Sequence, residues 1–175
     1  MVRVLLDDVI HTSYGQFDLY FGEGHGLDGD LATTFTGQVN GLVGAASGMG
    51  LYFNLARWGG GSAVRIVLLE DAASLDSGEW EDVVEVSVVV PPGVESCWGA
   101  WAGEESGPLD LPPGSYRVRV SARGRDDARG EGEAADHVVD WYLLEFWPAP
   151  VQPDAIIRST SDDAAYWHRS RGSRR

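Results

Sequence analysis

Apolar and polar positions alternate along short runs of this chain, and turn residues punctuate the runs. In Ser13–Phe21, Gly15, Phe17, Leu19 and Phe21 fall on one face and Tyr14, Gln16, Asp18 and Tyr20 on the other. A period of two is what a half-buried strand shows. Ser115–Arg123 repeats the pattern. Tyr116, Val118, Val120 and Ala122 share the face expected inward, against Ser115, Arg117, Arg119, Ser121 and Arg123. Asp82–Val90 is the strongest strand signal, rich in Val and closed by Pro91-Pro92-Gly93. Ala63–Leu69 is nearly continuous in apolar character, which predicts a central strand. Val2–Leu6, Thr36–Val43, Met49–Leu55, Glu95–Trp101 and His137–Trp147 complete the strand set. Gly22–Asp30 and Arg57–Ser62 are predicted turns, and Glu70–Trp80 a loop or short helix.

Nine or ten short strands without a long amphipathic helix predict an all-β fold, an antiparallel two-sheet β-sandwich. The expected division is a sandwich domain over 1–150 and a C-terminal extension over 151–175, Arg-rich and partly flexible. A helical turn at Ser161–His168 would take Ser161 as its cap. Tyr116 follows a Pro-Pro-Gly-Ser turn, and its hydroxyl is expected to anchor that corner.

Charge adds a second layer. The 175 residues carry a formal net charge of −14, and every basic residue is Arg. Residues 1–150 hold 24 Asp and Glu against 8 Arg, and the last 25 residues hold 3 acids against 5 Arg. A direct nucleic-acid binder would present a basic face. A protein partner with a basic or metal-bearing surface fits better, with long-range attraction speeding association. The absence of Lys excludes P-loop and Schiff-base chemistry. The apolar start of the chain meets Asp7 and Asp8 too soon for a signal peptide, so a cytoplasmic protein without a membrane anchor is expected.

Candidate chemistry is thin. Cys97 is the single cysteine, in an apolar context that suggests a buried structural thiol. His25, Asp28 and Asp30 share a Gly-rich loop but do not match an EF-hand, so a plain turn is preferred and no metal or cofactor is expected. Gly44–Gly48 lacks the Lys of a phosphate loop, and Ser47 is not in a Gly-x-Ser-x-Gly elbow. Two acidic stretches suit a protein partner: Asp126, Asp127, Glu131, Glu133, Asp136 and Asp140 in a charged hairpin loop, and Glu79, Glu81, Asp82 and Glu85 around Trp80. Arg123, Arg125 and Arg129 dilute the first. The alternatives are a small-molecule or carbohydrate-binding sandwich using exposed Trp and Tyr, and a hydrolase with paired carboxylates. The placement of Trp80, Trp98, Trp101 and Trp141 separates the first two readings.

Ser13-Tyr14 and Gln16-Phe17, together with Leu109-Asp-Leu-Pro-Pro-Gly-Ser-Tyr-Arg117 and the aromatic-rich strand ending at Pro148, resemble the competence protein J family. The resemblance runs from Ser13 to Pro148. It implies a small intracellular bacterial protein that inhibits a nuclease of DNA uptake, with no catalytic residues to carry over. The acidic loop before Asp140 and the Arg-rich tail depart from the family pattern.

Overall fold

The computed structural model describes residues 1–23, 27, 30–74, 78–131 and 137–172. Among them, eleven strands form two sheets. The six-stranded sheet contains β1 (Val2–Ser13), β5 (Gly59–Leu69), β10 (Trp141–Pro148), β9 (Gly114–Arg123), β6 (Asp82–Val90) and β11 (Ala155–Ser159), in that spatial order. The five-stranded sheet orders β3 (Val43–Gly44), β4 (Gly50–Asn54), β2 (Gln16–Phe21), β7 (Ser96–Ala100) and β8 (Ser106–Pro108). All pairings are antiparallel except β5 with β10. The fold is an all-β sandwich of two sheets.

The alternating residues meet between the sheets. Phe17, Leu19, Leu51 and Phe53 pack from one sheet, and Ile66, Val84, Val118, Leu144 and Phe146 from the other. Burial of apolar surface on this scale is the main favourable contribution to folding. Tyr116 joins the same core, and its hydroxyl donates to the Pro112 carbonyl at 2.9 Å, fixing the corner before β9.

Several elements differ from the sequence expectation, each for a local reason. β1 runs on to Ser13 because an edge strand tolerates Asp7, Asp8 and His11, and a bulge lies between Val4 and Leu6. Thr36–Leu42 is not a strand. The Asn40 side-chain oxygen accepts the Leu42 and Val43 N–H groups at 3.1 and 2.8 Å. Gln38 bridges the Val43 carbonyl and the Ala45 N–H, each at 2.7 Å, so side chains replace ladder partners. Gly59–Ser62 is strand rather than turn, where Gly60 leaves room for the buried Arg57 guanidinium.

The outer face of β9 is not a solvent face. Arg117 and Arg119 are buried, and each reaches Glu85, at 3.1 and 2.9 Å. Arg119 also donates to the Ser74 carbonyl at 2.5 Å and Arg117 to the Pro153 carbonyl at 2.9 Å. The β5–β6 connection and the segment after β10 therefore cover this face. Residues beyond 150 supply β11, which pairs with β6, and then α3 (Asp162–Ser170). Ser161 caps α3, accepting from the Ala164 N–H at 3.0 Å. Ala164 and His168 are buried. His168 accepts the Gly41 N–H on Nδ1 at 3.0 Å, and burial lowers its pKa. No described helix is long and apolar enough to cross a membrane.

Candidate protein-interaction surface

One end of the sandwich gathers the starts of β5, β6 and β10 with the ends of β1 and β9. The charged loop expected between β9 and β10 opens there with a helix, α2 (Arg125–Glu131). Gly124, at φ 76°, makes the turn into it, where a Cβ would overlap the Val139 carbonyl oxygen. Arg125 points inward. Its guanidinium is buried and bonds Asp163 of α3 at 2.6 Å, which ties α2 to α3. Burial works against that charge, but Tyr142 and Asp163 hold the pKa above its ordinary value.

Asp126 is exposed, and its carboxylate accepts the N–H groups of Asp162 and Asp163 at 3.1 and 2.8 Å. It thereby caps the first turn of α3, where a negative charge is favourable. Asp127 is exposed, with no such bond among the described residues. The Glu131 side chain, Glu133 and Asp136 lie outside the described residues. Asp140 does not belong to an acidic surface. It is fully buried and accepts the hydroxyls of Ser62 at 2.9 Å and Tyr142 at 2.8 Å. Burial raises its pKa, and the Tyr142 and Ser62 bonds and the nearby Arg125 oppose that rise.

The second acidic stretch lies against the first. The Glu81 carboxylate accepts the Gly124 N–H at 2.8 Å, and the Glu81 N–H donates to the Ala122 carbonyl at 3.0 Å. Glu79 and Glu81 are exposed and Trp80 is half-buried, but Asp82 is buried, accepting the Thr160 N–H at 2.9 Å, and Glu85 is taken by Arg117 and Arg119, so neither belongs to an acidic surface. Arg123 lies 5.5 Å from the Trp80 ring and 4.9 Å from the Trp141 ring. Glu79, Trp80, Glu81, Asp126 and Asp127 thus share one region. Asp162, exposed at the start of α3, joins them. No sequence signal marked Asp162, because the long-range pairing of β11 with β6 is what brings it there.

The tryptophans neither all retreat into the core nor line one groove. Trp80 and Trp141 flank an open groove of about 250 Å³ with Asp7, Arg65 and Leu143. Trp98 stacks on Phe17 against the core, at 6.0 Å. Trp101 packs on Tyr14. Cys97 is half-buried rather than buried, because it faces Tyr20 on the outer side of the five-stranded sheet. Of the loop considered for a metal, His25 and Asp28 lie outside the described residues. Asp30 is committed to α1 (Leu31–Thr34), accepting the N–H groups of Ala32 and Thr33. Among the described residues, no three His, Cys, Asp or Glu side chains group to hold an ion.

No protein-family model matches the chain, and no curated protein matches its sequence. Solved structures match its shape. ComJ from Bacillus subtilis, an inhibitor of the DNA-degrading activity of NucA, aligns at a TM-score of 0.55 and 18% identity. That alignment covers 85% of this chain and 99% of ComJ. The chain has the ComJ fold. Crocagin biosynthetic gene J has it too, at a TM-score of 0.52 and 16% identity, over 86% of this chain and 99% of that one. The ComJ fold agrees with the family resemblance drawn from Ser13–Phe17 and Leu109–Arg117.

Proposed function

We propose that this chain is a non-enzymatic cytoplasmic protein that binds and inhibits a nuclease through the acidic end of the sandwich. The ComJ fold is the observation that carries this reading. Electrostatics supports it. A nuclease must attract phosphate, and it does so with basic side chains or a divalent metal. Carboxylates gathered at one end of the protein compete for the same surface. Glu79, Glu81, Asp127, Glu131, Glu133 and Asp136 supply the charge, and Trp80 supplies apolar contact. Asp126 serves the surface by holding α3 in place. A carbohydrate platform has less support, because Trp80 and Trp141 both turn toward Arg123.

The test is direct. Nucleases captured from the native organism at low salt are assayed on DNA with increasing amounts of this protein. Stoichiometric loss of DNA degradation is expected. Undiminished degradation at saturating protein would refute the proposal.

A further inference from the structure

Three large aromatic side chains stand at the surface at this same end: Tyr14 is 50% exposed, Trp58 58% and Trp101 37%. Tyr14 lies between the other two. Its ring centroid is 4.8 Å from Trp58 at 74° and 4.8 Å from Trp101 at 54°. Edge-on and tilted contacts leave π faces uncovered. The backbone at this spot is also unusual. Tyr14 has φ 60° in the β1–β2 turn, and Ala102, beside Trp101, has φ 53°. Non-glycine residues occupy that region at a cost, and such positions concentrate at working sites.

Two carboxylates are fastened beside these rings. Glu104 accepts the Ser13 hydroxyl at 3.2 Å. Glu105 accepts the His11 backbone N–H at 3.1 Å and lies 3.7 Å from the His11 ring nitrogen. Both acids are therefore held against the last residues of β1, next to Tyr14.

Elsewhere the chain fills its aromatic faces with its own arginines. Arg123 takes Trp80 and Trp141, Arg129 lies 4.7 Å from Tyr166, and Arg171 lies 4.7 Å from Trp167. Among the described residues, no guanidinium lies over Tyr14, Trp58 or Trp101.

We propose that Tyr14, Trp58 and Trp101, with Glu104 and Glu105, form a seat for an arginine side chain of a basic protein partner. A cation is attracted to the ring faces, and the carboxylates complete its neutralisation. Arginine suits the seat better than lysine, since its planar fork both stacks on rings and pairs with carboxylates. The net charge of −14 favours the approach of a basic protein. The inference rests on the reading that the chain binds a basic protein, but not on that protein being a nuclease.

The full chain, labelled with ¹⁵N, is titrated with blocked tri-arginine, tri-lysine and tri-citrulline peptides while the indole N–H signals are followed. Tri-arginine is expected to move the Trp58 and Trp101 signals saturably, tri-lysine less, and the neutral tri-citrulline not at all. Glu104→Gln with Glu105→Gln should weaken the tri-arginine response several-fold. Trp58→Ala should abolish it at Trp101 while the thermal midpoint holds. Silent Trp58 and Trp101 signals would overturn the seat, as would an equal response to tri-citrulline. Nuclease inhibition that is identical in wild type and Trp58→Ala would remove the seat and leave the proposed function standing. A saturable arginine response in a chain that inhibits no nuclease would do the reverse.

Discussion

Asp18 should make this protein less stable as pH rises from about 4 to about 6. It sits in β2 opposite Tyr52 and Gly99, and it is 1% exposed. Oδ2 accepts the Gln16 side-chain N–H at 2.7 Å and the Leu27 N–H at 3.3 Å. Oδ1 has no hydrogen-bond partner among the described residues. Burial outweighs those two bonds and pushes the carboxyl up from 3.8 to about 6. Between these values the unfolded chain has released the proton and the native state still holds it. Stability therefore falls by about 1.4 kcal/mol per pH unit, and by about 3 kcal/mol once the native carboxyl has ionised. Asp18→Asn carries no such proton. Its amide oxygen keeps both accepted bonds, and its unmatched NH₂ costs about 1–3 kcal/mol at every pH. Urea unfolding of both proteins at several pH values from 4 to 7 isolates the slope, because other titrating groups cancel in the difference. The difference should shift toward the variant by about 2.5 kcal/mol across that range. A difference that stays constant with pH would refute the reasoning.

Asp163→Ala should destabilise by about 3–5 kcal/mol, since it leaves the buried Arg125 charge without its carboxylate and removes one of the ties between α2 and α3. A urea midpoint within error of wild type would contradict it. Tyr116→Phe should cost about 1 kcal/mol by removing one hydroxyl bond to Pro112 while keeping the ring in the core. A larger loss would mean that the ring itself had moved.

Local signals carried much of the fold. Asp82–Val90 forms a strand over those same residues because its β-branched run and closing Pro-Pro-Gly agree with its tertiary setting. The Tyr116 anchor and the Ser161 cap follow from short-range chemistry and form as their positions suggest. What escaped was set by distant partners. Asp140 looks solvated beside charged neighbours, yet Ser62 lies 78 positions away and buries it. Arg117 and Arg119 look like a solvent face until Glu85 and the connection at Ser74 cover them. The proposed interaction surface was half visible. The two acidic stretches could be found in the sequence, but the Glu81–Gly124 contact that joins them depends on the pairing of β6 with β9.

The most direct test of the central claim is the association rate between this protein and its captured nuclease. It is measured at low and at physiological salt, for wild type and for Asp127→Asn/Glu131→Gln/Glu133→Gln. Asp126 stays unchanged in the variant because it caps α3. The account predicts that wild type associates about tenfold faster at low salt, and that the variant is slower and loses most of that dependence. An association rate that ignores both salt and the three substitutions would contradict it.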